Sequence, residues 1–435
     1  MLLQTFQSLI ALHQEEFPYD LIERETVLPM DSKNIITVTG VRRCGKSSQL
    51  KLVVNRLLKA GVAKERIIYI GFDDERLAMM STADFDDILK AYREMYPGQS
   101  LKDVYMFFDE IQLIDGWELF VLRVYKNYCQ NIFITGSTSK MLSGEMISAL
   151  RGYPDEYKQQ VLSFTEYLKF KNIEANRFSE DGAAVLKSAF RQYCLEGGYP
   201  KAVLTGEKSE RVKLLQSYFN TMLFRDLMEH YKIKSPASVV RYFLKRVMEN
   251  LTKPTSIHNI FNELKSIGMK VSKDYLYEWM DDACQIFMFN KVPKYTRSLV
   301  KETSLPAKYY VADMGMRNAV LLPQSLDEGK ALENIVFSNI NLTLGEEDKV
   351  FFFSEEVECD FVVVRSGNVA ELVQVCWLLD KDNYEREFEG LVAASQATKC
   401  SDCRIVTFEQ EGTYNYKGLD IKVESIWKDA WWVSR

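Results

Sequence analysis

The stretch TVTGVRRCGKSSQL, residues 37–50, decides how the N-terminal part of this chain folds. It begins inside NIITVTG (34–40), an apolar run rich in β-branched residues that is typical of a buried strand. It continues into SSQLKLVVNRLLKAG (47–61), where apolar residues recur at helical spacing until Gly61 ends the pattern. The sequence therefore predicts a strand, a short loop with glycines at both ends, and a helix, in that order.

The loop has the spacing Gly-x-x-x-x-Gly-Lys-Ser, which is the template of a phosphate-binding loop. Gly40 and Gly45 allow the backbone to curl, so that successive N–H groups and the helix N-terminus point at phosphate oxygens. Lys46 is then expected to reach the β and γ phosphates, and the Ser47 hydroxyl to help hold Mg²⁺. The residues expected to bind the nucleotide are Gly40, Arg43, Cys44, Gly45, Lys46, Ser47 and Ser48. The alternative is an ordinary glycine-rich turn.

A second acidic element follows in DVYMFFDEIQLIDGWE (103–118), where four apolar residues precede Asp109 and Glu110. A strand that ends in two acids suits phosphoryl transfer. Asp109 is expected to bind Mg²⁺ through its outer coordination shell, and Glu110 to act as general base on the attacking water. The alternative is a solvated acidic turn at a strand end, and the phosphate loop upstream further favours the catalytic interpretation.

A third strand is predicted in NIFITGSTS (131–139). If the sheet is parallel, its polar end lies beside the γ phosphate, because the carboxyl ends of the strands then share one edge. Ser137 and Thr138 are candidate sensors of that phosphate, with Ser137 assigned to nucleotide binding. Capping of the next helix is an equally good explanation for both residues.

The residues together resemble a known family, the bacterial and archaeal AAA-type ATPases that carry a C-terminal domain of uncharacterised function. The resemblance covers nearly the whole chain and rests on motifs in the family's order: GVRRCGKSS, FFDEIQLIDGWE, ITGSTSKMLSGE, LSFTEYL, EGGYPKAV, YFNTMLFRDLMEHYKI, YYVADMGMRNAVL, ALENIVFSNI, EVECDFVVV and VQVCWLL. It implies ATP and Mg²⁺ as cofactors and an α/β P-loop NTPase core of AAA type (1–163). It further implies a helical lid (164–234), a winged-helix-like module (235–320) and a restriction-endonuclease-like α/β domain (321–435).

One position departs from the family, which usually has Leu-x-Gly-Arg where this chain reads Leu150-Arg151-Gly152-Tyr153. An arginine near the γ phosphate stabilises the transition state and, when a neighbouring subunit supplies it, couples hydrolysis to assembly. Arg151 is the candidate catalytic replacement. The displacement leaves two expectations open: an oligomer-gated ATPase, and a slow ATPase. Other cationic candidates, each explained equally well by a surface ion pair, are Arg42, Arg43 and Arg225.

The segment after residue 234 reads as three short helices and two strands, the pattern of a winged helix. A basic wing suits the phosphates of duplex DNA; its candidate residues are Lys291, Lys294, Arg297, Lys301 and Lys308. The recognition helix from Ser272 is instead acidic, with Asp274, Glu278, Asp281 and Asp282, and its Tyr275, Leu276 and Trp279 are predicted to face the core. DNA binding, docking of a protein partner and plain structural packing therefore all remain open.

The C-terminal segment invites a comparison with metal-dependent nucleases, which place an acid on one strand and Glu-x-Lys on the next. Asp360 fits the first acid, and Glu333 is a candidate second acid from the preceding helix. The next strand, however, reads Gln374-Val375-Cys376, and an amide and a thiol cannot replace the metal-binding acid and the lysine. A structural or binding domain is expected rather than an active nuclease.

Composition bounds the remaining possibilities. The formal net charge of -6 argues against wholesale electrostatic wrapping of nucleic acid. The eight cysteines are scattered without a disulfide framework, and the N-terminus lacks the features of a signal peptide, so a reducing cytoplasm and no membrane are expected. The leading hypothesis is an ATPase that acts as a motor or switch. The alternative is a slowly hydrolysing regulatory protein that docks DNA or a protein; the preference for ATP over GTP rests on the resemblance.

Overall fold

A computed structural model describes residues 2–136, 150, 152–296 and 305–428. The chain divides into two compact units, the first formed by Met1–Gln160 with Gln285–Phe287 and the second by Val161–Cys284 with Met288–Arg435. Within the described residues, no helix combines the length and apolar character needed to cross a bilayer. The four domains expected from the sequence, with their boundaries, stay predictions.

The first unit is built on a parallel five-stranded sheet with the strand order β2-β3-β4-β1-β5. Its strands are β1 Ile35–Thr39, β2 Ile67–Gly71, β3 Tyr105–Asp109, β4 Ile132–Gly136 and β5 Pro154–Lys158. Its helices are α1 Leu2–Glu16, α2 Lys46–Lys59, α3 Asp86–Met95 and α4 Trp117–Asn127. Strands β1 and β4 are buried along their whole length, as parallel strands covered on both faces are. The predicted strand, glycine loop and helix are confirmed as β1, residues 40–45 and α2.

Strand β4 lies between β1, which leads into the loop, and β3, which ends in the acidic pair. Val38 is in register with Thr135, and Phe108 with Ile134. Because these strands are parallel, their carboxyl ends meet at one edge of the sheet. This edge therefore carries the glycine loop, the acidic pair and the end of β4 side by side.

The second unit begins with helices. They are α5 Phe164–Phe170, α6 Glu180–Glu196, α7 Pro200–Leu204, α8 Lys208–Thr221, α9 Ala237–Glu249, α10 Ile257–Ser266, α11 Lys273–Gln285, α12 Met314–Leu321, α13 Glu328–Leu342 and α14 Tyr384–Thr398. A π-helical segment, Met222–Glu229, continues α8. Pro200 occupies the first turn of α7, where its missing N–H costs no helical hydrogen bond.

The strands of the second unit form a hairpin and a mixed sheet. The antiparallel hairpin is β6 Phe289–Val292 with β7 Lys308–Val311. The sheet has the order β12-β13-β11-β10-β9-β8, from β8 Lys349–Ser354, β9 Glu358–Arg365, β10 Asn368–Val375, β11 Cys403–Thr407, β12 Gly412–Tyr416 and β13 Leu419–Ser425. Helices α9 to α11 precede the hairpin in the expected order. Their identification as a winged helix stays a prediction.

Two expectations about this region are wrong. Tyr275 does not face the core with Leu276 and Trp279, because half of its side chain (51%) is exposed at the surface of α11. Lys308 does not belong to a basic wing, because it is fully buried. Strand β7 is buried along its whole length, so a lysine at its start has no route to solvent and must find its counter-charges inside the protein. Two other wing candidates, Arg297 and Lys301, lie outside the described residues.

Candidate functional site

The glycine loop has the curled backbone that its sequence predicts. Gly40 and Gly45 adopt φ values of 145° and 107°, in the region where side chains are disfavoured. A Cβ atom at Gly40 would lie 2.0 Å from the carbonyl oxygen of Gln159, so the close approach of the segment after β5 also requires glycine there. Arg43 is exposed at the tip of the loop with a φ of 69°.

Lys46 begins α2 and turns its side chain back into the loop. Its ammonium group donates to the carbonyl oxygens of Gly40 and Val41 at 3.1 and 3.2 Å. Only 4% of Lys46 is exposed, and its Nζ lies 3.8 Å from Oε1 of Glu110. The lysine is therefore held in the centre of the loop, within reach of the acidic pair.

Asp109 ends β3 as a buried carboxylate surrounded by hydroxyl donors. The Tyr69 hydroxyl donates to Oδ2 at 2.9 Å, the Thr135 hydroxyl donates to Oδ1, and the Ser47 hydroxyl is a third donor. Burial raises the pKa of the Asp109 carboxyl above its usual value, and the hydrogen bonds it accepts counteract part of that rise. The hydroxyl of Ser47 and the carboxylate of Asp109 thus lie together, as the sequence predicted for the magnesium site.

Glu110 follows in a left-handed conformation, with a φ of 54°. Its backbone N–H donates to Oγ1 of Thr135 at 2.8 Å, and its carboxylate accepts from the Gln112 side chain and faces Lys46. Residues that are not glycine adopt this conformation rarely, and such residues concentrate at functional sites. The turn separates the roles of the two acids, because it directs Glu110 towards the loop lysine while Asp109 stays among the hydroxyl groups.

Sequence reasoning did not identify Arg24 as a residue that braces this site, and it assigned Cys44 to nucleotide binding. The Arg24 guanidinium donates to the carbonyl oxygens of Cys44 and Gln160, both at 3.0 Å, and so fixes the glycine loop against the segment after β5. Cys44 is fully buried, its thiol donates to the Gln159 carbonyl oxygen, and burial raises its pKa. Its side chain supports the loop from inside. No spacing rule links these positions, which lie far apart in sequence.

Ser137, Thr138 and Arg151 lie outside the described residues. Tyr153, which stands where the family has arginine, packs its ring against Tyr125 with the ring centroids 4.7 Å apart. The tyrosine therefore joins the aromatic packing of α4.

The groups at this edge fit a magnesium-bound nucleoside triphosphate. Mg²⁺ prefers hard oxygen ligands, which the Ser47 hydroxyl and the Asp109 carboxylate supply. Phosphates are favoured by backbone N–H groups at a helix N-terminus, and α2 is a helix of 14 residues that begins directly after the loop. Lys46 adds a positive charge at the same point. Groups suited to the phosphates and to the metal ion are therefore present in one place.

A second cluster of charged residues lies in the other unit, around Lys308. Its ammonium group contacts three carboxylates: Glu333 at 3.1 Å, Glu358 at 2.8 Å and Asp360 at 2.8 Å. Burial opposes the charge on this lysine, but the surrounding carboxylates raise its pKa well above the usual value. The Tyr310 hydroxyl also donates to Glu333, at 2.8 Å. A cation supplied by the chain itself thus lies at the centre of the carboxylates.

The Lys308 cluster bears directly on the nuclease comparison. The two predicted acids, Glu333 and Asp360, do come together, but Lys308 lies between them where a divalent ion would have to bind. Gln374 is engaged on both sides of its amide, accepting from the backbone of Asp360 and donating to Glu387 at 2.6 Å. Within the described part of the chain, no group of three or more His, Cys, Asp or Glu side chains is arranged to hold a metal ion. We therefore interpret the Lys308 cluster as an internal ion network.

The Lys308 cluster also predicts how stability depends on pH. Burial, followed by the charge of Asp360, raises the pKa of Glu333 from 4.5 to about 8. The folded state then holds a proton that the unfolded chain releases, so the free energy of unfolding should fall as pH rises towards 8, by at most about 1.4 kcal/mol per pH unit. We expect Glu333→Gln, which cannot lose a proton, to flatten this slope in urea unfolding midpoints.

Asp313 also titrates, so it limits the pH range over which the unfolding of Glu333→Gln should be compared with wild type. Burial raises the pKa of this carboxyl to about 6, so it contributes its own slope below that value. Measurement between about pH 6.5 and 8.5 avoids the Asp313 slope and covers the titration of Glu333. Glu355→Gln, which changes an exposed carboxylate of the same sheet region, is the control and should keep the wild-type slope. An unchanged slope in Glu333→Gln would contradict the prediction.

Comparison with known proteins defines the class of the first unit. A family model described as an AAA domain matches residues 32–168, which include the glycine loop and the acidic pair. A second model, described as a domain of unknown function (DUF8612), matches residues 187–327. The chain thus carries an AAA domain followed by a domain to which no function is attached.

The relatives place the whole chain in a family. An uncharacterised protein of Methanocaldococcus jannaschii is 31% identical over 421 residues, covering 94% of this chain and 90% of the archaeal protein. An uncharacterised protein of Haemophilus influenzae is 26% identical over 377 residues, covering 84% and 90%. This chain belongs to the family of the archaeal protein, and its AAA domain makes this an AAA-type family.

Solved structures are more distant. The structure of the Aeropyrum pernix ORC1 protein in complex with DNA matches over 73% of this chain and 90% of that protein, with 13% identity and a TM-score of 0.29. A likeness at that level does not bear on the function of this chain.

Proposed function

We propose that this chain is a Mg-ATP-binding AAA-type ATPase that couples its nucleotide state to a winged-helix-like module (235–320) and a restriction-endonuclease-like domain (321–435). The observation that carries the proposal is the position of Lys46 in the curled loop, 3.8 Å from Glu110, with the Asp109 carboxylate accepting from Ser47 at the same sheet edge. In that arrangement Lys46 would bind phosphate, Ser47 and Asp109 would bind the metal ion, and Glu110 would activate water.

The protein groups would act in a fixed order. Binding of phosphate oxygens draws the Lys46 ammonium away from the Gly40 and Val41 carbonyl oxygens, because a phosphate carries full negative charge. The same movement weakens its attraction to Glu110, whose carboxylate then becomes available to accept a proton from the attacking water. Ser47 and Asp109 would hold Mg²⁺, which when bound neutralises phosphate charge. The assignment of ATP rather than GTP rests on the family resemblance.

The rate of hydrolysis depends on an arginine whose position the described residues do not include. Arg151 is the proposed replacement for the family arginine, and Tyr153 has no charge to offer the transition state. A slow ATPase, in which nucleotide binding sets a conformation, is therefore part of the proposal. Assembly into a homo-oligomer would provide a second source of arginine.

A specific observation favours a protein partner over DNA for the middle module. The exposed surface of α11 carries Asp274, Glu278 and Asp281, which repel a polyanion. The burial of Lys308 removes one of the lysines expected to oppose that repulsion. The second candidate function is accordingly a regulatory ATPase whose winged-helix-like module docks a protein.

The test is steady-state ATP hydrolysis at low salt, with and without duplex DNA, against Lys46→Ala as the blank. A rate that DNA raises several-fold, with the increase removed by added salt, would support a nucleic-acid sensor coupled to the ATP site. A measurable rate that is indifferent to DNA would support the protein-docking candidate. A rate in the wild type no higher than the blank would reject the ATPase proposal.

A further inference from the structure

Tyr69, on β2, is hydrogen-bonded to the carboxylate of Asp109. Tyr69 itself lies outside every motif discussed above. Its hydroxyl donates to Oδ2 of Asp109 at 2.9 Å across the pairing of β2 with β3. We propose that Tyr69 is a positioning residue that sets Asp109 for Mg²⁺, with no contact of its own to the nucleotide. The inference rests on the proposed function, since it assigns a role within the same site.

The tyrosine ring is fixed in place, so its hydroxyl direction is fixed too. Only 2% of Tyr69 is exposed. Its ring stacks on Phe107, the residue directly opposite it in the register, with an interplanar angle of 15°. The His13 ring of α1 covers it at a centroid distance of 4.5 Å. A side chain packed by aromatic rings from two elements provides a rigid support of the kind that functional groups need.

A count of acceptor positions shows what this support does. A carboxylate offers about four lone-pair positions on its two oxygens. Donors already occupy both oxygens of Asp109: Tyr69 on Oδ2 and Thr135 on Oδ1, with the Ser47 hydroxyl as a third. Little acceptor capacity is left, so the carboxylate faces the metal site in one orientation. That arrangement suits binding through a metal-bound water, as expected for an outer-shell ligand.

The residues around Tyr69 argue for a role beyond filling space. Phe107 and Phe133 stack in the same layer of the sheet without a polar group, so a phenylalanine would fill the position of Tyr69 equally well. The added hydroxyl has one partner in the described residues, the Asp109 carboxylate. Burying a hydroxyl group costs free energy unless the group is hydrogen-bonded. The Tyr69 hydroxyl is hydrogen-bonded to Asp109, the residue predicted to bind the metal ion.

The experiment compares wild type with Tyr69→Phe, which keeps the ring and removes only the hydroxyl. Affinity for a fluorescent ATP analogue is measured in EDTA and across a Mg²⁺ titration. We expect affinity in EDTA to stay within about twofold, and the half-maximal Mg²⁺ concentration to rise about threefold to tenfold, which corresponds to the loss of one hydrogen bond of typical net strength. Tyr92→Phe is the matched control, because it removes a hydroxyl bonded to the Glu65 carbonyl oxygen, away from the site.

The outcomes separate this inference from the proposed function. An unchanged Mg²⁺ dependence in Tyr69→Phe would overturn the positioning role alone. An equal loss of affinity in EDTA and in Mg²⁺ would also overturn it, because the hydroxyl would then support the fold and not the metal site. Absence of nucleotide binding in the wild type would reject the proposed function, and this inference with it.

Discussion

Lys46→Ala is expected to abolish nucleotide binding and reduce ATP turnover to background. The ammonium lies inside the curled loop, at 3.1 Å from the Gly40 carbonyl oxygen. Without it, phosphate oxygens would face the loop backbone and the Glu110 carboxylate with no positive charge between them. Binding of a fluorescent ATP analogue and steady-state hydrolysis both report the loss. Lys59→Ala, an exposed lysine in the last turn of the same helix, is the control and should behave as wild type.

Glu110→Gln should give the complementary result, with binding retained and turnover lost. The change removes the negative charge that faces Lys46 at 3.8 Å, so the lysine stays available to phosphate. Loss of a general base lowers turnover by about 10²-fold to 10⁴-fold. The two variants together test the division of roles in the site. Equal loss of binding in both would show that Glu110 supports the loop rather than the chemistry.

Lys308→Met is expected to destabilise the second unit by about 3 to 5 kcal/mol, the usual cost of removing one partner from a buried ion cluster. Methionine keeps most of the side-chain volume but leaves Glu333, Glu358 and Asp360 without their shared cation. Urea unfolding at pH 7, followed by circular dichroism, measures the effect. The cost should grow with pH, because Glu333 loses its proton near pH 8.

Two further variants make the Lys308 prediction specific. Lys291→Met changes an exposed lysine on the paired strand β6 and should alter stability by less than about 1 kcal/mol. Adding Glu333→Gln to Lys308→Met should remove the part of the loss that grows as pH rises past 8, since the amide cannot ionise. A loss in Lys308→Met no larger than in Lys291→Met would mean that the cluster contributes little to the fold.

The core of the candidate site could be predicted because its signals are local. Gly40, Gly45 and Lys46 follow one another within a few residues, and so do Asp109 and Glu110. That spacing predicts the backbone geometry that phosphates require, since glycine alone adopts the necessary φ values without strain. The parallel sheet was predictable for a similar reason, because apolar runs alternate with helical periodicity.

Other parts of the site depend on partners that are distant in sequence. Thr135 contacts both acids because β4 inserts between β1 and β3, an order that no single strand specifies. Arg24 fixes the glycine loop through a carbonyl oxygen at Cys44 and another at Gln160. Interactions of this kind arise from the packing of elements, and the pattern of hydrophobic residues does not encode their identity.

Lys46 and Lys308 show most clearly which positions the sequence determines and which depend on the tertiary structure. The sequence alone determined the place of Lys46, because a glycine loop between a strand and a helix dictates where the next side chain points. For Lys308 it predicted a solvent-exposed basic wing, whereas the fold buries the residue among three carboxylates. A buried charge is tolerated only where counter-charges meet it, and these come from α13 and β9, brought to β7 by tertiary packing alone.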